Sequence, residues 1–177
     1  MIHKAIEIRT LRKSDDRSSF CSGNIDLDRF FQRFAGQNQF RHHIGTTYVA
    51  IADKQIAGFV TISSGEMVTE ALQTAIKKRL PNYPLPVLRM VRLAVDEKFQ
   101  GTGLGERLLK TVFLLALDMR KRYGCVGVVV DAKPEAVGYY NSFGFIKLEL
   151  ISGELGDRPQ PVPMFLPVAS IEKGATE

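Results

Sequence analysis

One unit of this chain constrains its fold more than any other. It is an apolar run, a glycine-rich turn, a long amphipathic stretch and a second apolar run. Residues 87–95 (VLRMVRLAV) read as a strand that ends at Asp96. Residues 99–106 (FQGTGLGE) place three glycines at alternate positions. From Leu104 an apolar stripe recurs at Leu108, Val112, Leu115 and Met119, the period of a helix. Residues 126–130 are almost wholly apolar, the pattern of a strand buried on both faces. A crossover helix of this length joins parallel neighbours, so the unit predicts an α/β chain in which these two strands run parallel. A ligand of such a unit sits beyond the strand C-termini, where the helix begins.

The remaining segments supply further elements. Residues 5–11 alternate like an edge strand. Leu27, Phe30, Phe31 and Phe34 fall at helical spacing within 26–40, after a Gly23-Asn24 turn. Residues 46–52 and 55–63 read as a hairpin about Asp53-Lys54. Residues 67–80 predict a helix stopped by Pro81, and 82–86 a stiff extended approach to the central strand. A short helix over 134–141 starts on a proline, a favoured first position. Strands over 144–151 and 162–168 close the pattern, and the tail after Ile171 is expected to fray.

Length and composition bound the rest. At 177 residues, with 45% hydrophobic and 24% charged residues, the chain is expected to be a single domain over 1–177, its core spanning about 5–168. No apolar run approaches ~18 residues, so no membrane span is expected. The N-terminus lacks the apolar core of a signal peptide, which makes a cytoplasmic location the expectation. Cys21 and Cys125 share no metal-ligand spacing, and His3, His42 and His43 form no HExxH pattern. No metal is expected, and both cysteines read as reduced and packed like small hydrophobes.

Glycines in the 99–106 turn let the backbone curl tightly and approach a ligand closely. Amide N–H groups and the helix dipole then favour an anion, for which phosphate is the natural guest. A Walker A loop needs Gly-Lys followed by Ser or Thr, but Leu104 follows Gly103 and Glu106 follows Gly105. A dinucleotide fingerprint needs a glycine where Glu106 stands.

Gln100-x-x-Gly103-x-Gly105 resembles the [QR]-x-x-G-x-[GA] motif of the GNAT N-acetyltransferase superfamily. Ala136-x-x-Tyr139-Tyr140-x-x-Phe143-Gly144-Phe145 is similar to its A-x-x-[FY]-Y-x-x-x-G-F signature, with one spacer position occupied by Phe143. The resemblance spans about residues 5–168. It implies a central mixed sheet of about six or seven strands flanked by helices, with parallel strands 4 and 5 splayed around acetyl-coenzyme A. It implies pyrophosphate contacts at Gln100, Gly101, Thr102, Gly103, Leu104, Gly105 and Glu106. It also implies pantetheine contacts along Leu93, Ala94 and Val95, and direct attack of an amine on the acetyl carbon. Asp131 and Lys133 are read as coenzyme contacts or as caps of the next helix.

Tyr140 matches the family tyrosine that protonates the departing thiolate, and a phenol of pKa ~10 stays protonated at neutral pH. Tyr139, about 100° round the helix, is read as packing. Glu66, Asp96, Glu97 and the His42-His43 pair are general-base candidates without supporting spacing. A scarcity of bases suits an α-amine acceptor of pKa ~7.7–8.0 better than a lysine at ~10.4.

Charge is uneven within the net +5. Residues 29–52 carry Arg29, Arg33 and Arg41 without an acid, and residues 71–95 carry Lys77, Lys78, Arg79, Arg89 and Arg92 without one. Clustered cations of this kind mark a polyanion footprint. Cys21-x-Gly23-Asn24-x-x-Leu27-x-x-Phe30 resembles the opening of the GNAT toxins of bacterial toxin–antitoxin pairs. So do Gln37-Asn38, residues 46–49, Pro81-x-Tyr83-Pro84-x-Pro86 and residues 92–96. That resemblance implies an aminoacyl-tRNA substrate acetylated on its α-amine, a ribbon-helix-helix antitoxin and a homodimer. Arg29, Arg33, Lys77, Lys78, Arg79, Arg89 and Arg92 are then the expected tRNA contacts. The alternatives are a GNAT enzyme acting on a small amine or protein N-terminus, and a non-catalytic coenzyme-binding regulator.

Overall fold

The computed structural model describes residues 5–68, 80–81, 84–148 and 161–175. Among them run seven strands: β1 (Glu7–Thr10), β2 (Thr46–Ala52), β3 (Gln55–Met67), β4 (Leu85–Val95), β5 (Gly127–Ala132), β6 (Ile146–Lys147) and β7 (Val162–Pro167). Their order in one mixed sheet is β1-β2-β3-β4-β5-β7-β6. The first three strands pair antiparallel, β4 and β5 are parallel, and β7 pairs antiparallel with β5 and β6. The helices are α1 (Ile25–Arg29), α2 (Ala35–Gln37), α3 (Leu104–Arg122), α4 (Val137–Ser142) and α5 (Val168–Ala175).

The chain's contacts cluster into two compact units, Met1–Ser63 with Met90–Val112, and Ser64–Arg89 with Phe113–Glu177. In the first, Phe31 stacks on Phe59 at 4.3 Å, and Phe20 meets both rings edge-on. Leu11, Phe30, Ala35, Val49 and Ala94 complete that core. In the second, Met67, Leu85, Val87, Val129 and Phe165 pack together. Val126 packs against that core from the strand predicted to be buried, and Val128, Val129 and Val130 are all buried.

Asp53 and Lys54 both take positive φ, which gives the hairpin its tight two-residue turn. The edge strand β1 is pinned by a forked ion pair. Arg9 donates to both carboxylate oxygens of Asp15 at 2.9 and 2.8 Å, and Asp15 also accepts the Arg12 N–H at 2.7 Å. The Arg9 hydrogen bond holds the Asp15 carboxyl below its ordinary pKa. A carboxyl lowered in the folded state stabilises above its unfolded pKa of ~3.9 and loses that contribution as pH falls through the lower folded value. Asp15→Asn is therefore expected to destabilise the protein by about 1–2 kcal/mol at neutral pH. Urea titration checks this, and the gap to wild type should close as pH drops below ~3.9.

Several expectations are corrected. The 26–40 helix is not regular: α1 passes into a π-helical turn, Phe30–Phe34, then α2, then a second π-helical turn, Asn38–His42. The Phe31 carbonyl accepts a bond from Arg17 at 3.0 Å inside the first of these turns. Wider π pairing rotates the downstream side chains, so Phe34 is 46% exposed instead of facing the core. Strand β3 continues through Met67, the residue expected to open a helix; the remainder of that predicted helix, residues 69–79, lies outside the described residues. The extended approach at Leu85 and Pro86 is already strand, and the Pro86 carbonyl accepts from Val126 N. The C-terminal tail is helical as α5, with Ile171 buried and Glu172 paired to Arg120. Cys125 is buried as expected, but Cys21 is exposed, its Sγ 3.7 Å from a Glu97 carboxylate oxygen.

Candidate active site

In the first unit, β4 delivers the chain to a turn built by Asp96. Its side chain accepts the N–H of Lys98 at 3.0 Å and that of Cys21 at 3.1 Å, and its own N–H bonds the Ala57 carbonyl. Asp96 is only 5% exposed, so these donors are what make its burial tolerable. This employment removes it from the general-base candidates. The 3-10 turn Glu97–Phe99 comes next, and Gln100 donates from its carboxamide to the carbonyls of Val95 and Ser22 at 2.9 and 2.8 Å.

Beyond Gln100 the backbone changes hand. Gly101 and Gly103 take φ of 78° and 85°, and a side chain built at either would meet open space. Their conformation, rather than crowding, is what calls for glycine. Gly103 accepts from Arg107 N at 3.2 Å, which opens α3. The N–H groups of Gly101 to Glu106 precede or open the first turn of α3, where a helix leaves its leading donors without intrahelical acceptors. These donors stand at the positive end of a 19-residue helix, an arrangement that fits a pyrophosphate. Leu104 itself is buried as an anchor of α3, and the Glu106 carboxylate is paired with Lys110 at 3.3 Å. Thr102 turns its hydroxyl onto the Phe99 carbonyl.

Arg92 projects from β4 over the ring of Phe30, its guanidinium carbon 3.8 Å from the centroid. Partial burial pulls its pKa down, and no acidic partner compensates it among the described residues. Arg29 and Arg33 are exposed and likewise have no acidic partner among the described residues. Leu93 and Val95 are half-buried and Ala94 is buried. His42 bonds Gln37 at 3.0 Å, and His43 terminates the second π-helical turn in the left-handed conformation.

In the second unit, α4 carries Tyr140, whose residue is only 8% exposed. Its ring meets Tyr139 and Phe145 edge-on, each at 5.4 Å. Burial and the neighbouring Tyr139 push the phenol up to about 12. No hydrogen bond occupies the Tyr140 hydroxyl among the described residues. Tyr139 is less enclosed than a packing residue, at 40% exposure. Asp131 faces Arg89 at 3.2 Å, so each spends its charge on the other, and Lys133 stands at the N-cap of the turn before α4 without a side-chain cap bond. Lys77, Lys78 and Arg79 lie outside the described residues.

A family model described as an acetyltransferase (GNAT) domain matches residues 43–147. A tRNA-acetylating toxin of Mycobacterium tuberculosis is 30% identical over 138 residues, covering 77% of this chain and 82% of that protein. The chain belongs to the GNAT acetyltransferase family. It is an N-acetyltransferase. Two solved structures share its fold at 24% identity. AtaT complexed with acetyl-methionyl-tRNAfMet gives a TM-score of 0.83, covering 97% of this chain and 99% of that one. A tyrosine-to-phenylalanine mutant of AtaT, bound to the C-terminus of the antitoxin AtaR and acetyl-CoA, gives 0.77 over 98% and 99%. None of the described helices of this GNAT acetyltransferase is long and apolar enough to cross a membrane.

The sequence pointed to the motif glycines and Tyr140. It held no sign of the anchoring role of Asp96, whose partners lie 75 residues away at Cys21 and in the adjoining turn.

Proposed function

We propose that this GNAT enzyme is a toxin that transfers the acetyl group of acetyl-coenzyme A to the α-amine of an aminoacyl-tRNA. The observation that carries this reading is its 30% identity, over most of both chains, to a protein named as a tRNA-acetylating toxin. The uncompensated cations Arg29, Arg33 and Arg92 support it, because phosphodiesters reward charge that no carboxylate has neutralised. An antitoxin of the ribbon-helix-helix class and a homodimer belong to the same reading; a solved AtaT structure is bound to the C-terminus of an antitoxin, AtaR.

The N–H groups of 101–106 hold the coenzyme pyrophosphate, and Leu93–Val95 offer backbone groups to its pantetheine arm. Bound there, the coenzyme supplies an activated acetyl group for direct attack by the neutral amine. Tyr140 holds a proton at its Oη for the departing sulfur. It gives that proton to the sulfur as the bond to the acetyl carbon breaks, and the proton released from the attacking nitrogen restores the balance. Acylation of the α-amine removes the nucleophile of peptide-bond formation, which halts translation.

Mass spectrometry of mixed charged tRNA after incubation with enzyme and acetyl-CoA tests this reading. Acetylated aminoacyl ends are expected. Acetylation of free amines alone, or coenzyme binding without turnover, would replace it. The tRNA interface has its own signature. Replacing Arg29 and Arg33 together by Glu is expected to raise KM for charged tRNA about tenfold at ~0.15 M salt and to flatten its salt dependence. KM for acetyl-CoA should stay put.

A further inference from the structure

The coenzyme turn is stitched to the segment from which α1 starts. The Cys21 N–H donates to the Asp96 carboxylate, and the Glu97 N–H returns a bond to the Cys21 carbonyl at 2.9 Å. Gln100 completes the seam, with one carboxamide nitrogen shared between the Ser22 and Val95 carbonyls. Gly23 lies against the Glu97 carboxylate so closely that a Cβ there would sit 2.9 Å from Oε1. One residue further, Asn24 caps α1 by accepting the Leu27 N–H at 3.0 Å. The first turn of α1, the end of β4 and the first residue of the phosphate-binding motif are thus joined through two short segments, 21–24 and 95–100.

We propose that Gln100 is a positioning residue that couples the coenzyme turn to α1, and that it acts through the Ser22 and Val95 carbonyls rather than by touching the coenzyme. Both of its strong contacts are already spent on main-chain oxygens, one on each side of the seam. Ordering the turn around an anion therefore orders the 21–24 segment, and with it the helix that carries Arg29. Coupling of this kind is reciprocal, so an acceptor held by α1 must in turn favour coenzyme binding. The acceptor side rests on the acetyl-transfer reading above; the coenzyme side does not.

Gln100→Leu keeps the bulk and removes the donors, at an exposed position where folding should survive. Gln100→Arg keeps N–H donors at the end of the side chain. In the wild type, acetyl-CoA is expected to slow hydrogen exchange across residues 21–28 as well as 100–107. In Gln100→Leu the protection of 21–28 should disappear, acetyl-CoA should bind about tenfold more weakly, and KM for the acceptor should rise by a similar factor. Gln100→Arg should restore all three to within about threefold. Loss of coenzyme affinity with protection of 21–28 intact would identify Gln100 as a direct ligand and overturn the proposal. A lower melting temperature with unchanged binding and exchange would reduce it to a structural residue. Failure of the aminoacyl-tRNA reading would show separately, as wild-type enzyme that leaves charged tRNA unacetylated while the exchange result stands.

Discussion

Tyr140→Phe is expected to lower kcat by about 10²-fold, the usual worth of a positioned general acid, while leaving the melting temperature close to wild type. The ring contacts with Tyr139 and Phe145 survive the change, and the hydroxyl has no protein partner to lose among the described residues. Affinity for acetyl-CoA should hardly move, because the missing proton matters only as negative charge grows on the departing sulfur. Steady-state kinetics on charged tRNA with calorimetric coenzyme binding separates the two. Unchanged kcat would remove Tyr140 from the mechanism. Growth arrest on expression should be relieved in proportion to the lost rate.

The same residue shapes the pH profile. The folded state raises this phenol from ~10 to about 12, so the neutral form is the favoured one. Its contribution to stability is fully present below ~10 and is lost as pH rises through about 12. The rate is expected to climb as an α-amine of pKa ~7.7–8.0 becomes neutral, then to hold level to about pH 10. A descending limb with a midpoint near 9–10 in wild type that vanished in Tyr140→Phe would contradict the enclosure seen around this ring.

The second large effect belongs to the glycine turn. Gly103→Asp is expected to weaken acetyl-CoA binding by at least about 10²-fold. A like charge ~4–5 Å from a phosphate costs on the order of 3–4 kcal/mol at an effective dielectric of about 20. A non-glycine residue at φ 85° adds backbone strain, and the side chain would project into the space left open beside the turn. Calorimetry with acetyl-CoA checks the loss, and circular dichroism checks that α3 still forms. Binding within threefold of wild type would mean that the pyrophosphate lies elsewhere.

Local signals were the legible ones. The apolar run of β5, the stripe of α3 and the alternate glycines are patterns of neighbouring residues, and each stands where its spacing put it. The Asp53-Lys54 turn was readable for the same reason. The π-helical turns were not, since the irregularity goes with a bond from Arg17, well upstream, that no helical period announces. Asp131 reads in sequence as a coenzyme contact or a helix cap, because its partner Arg89 stands on the neighbouring strand. Cys21 looked like a small core residue, yet the turn it occupies bonds its backbone and leaves its sulfur outside.

By itself the sequence determined the chemistry on offer: a turn whose glycines can present N–H groups to an anion, a tyrosine at its motif position, and cations in acid-free stretches. Tertiary structure alone decided which of those groups remain available. It spent Arg89 on Asp131, Glu106 on Lys110 and the Gln100 carboxamide on two carbonyls, and it left Arg29, Arg33 and Arg92 without an acidic partner among the described residues. The reason is physical. Spacing along the chain fixes which face of an element a residue takes, but neutralisation and desolvation act through space, between residues that only folding brings within a few ångströms.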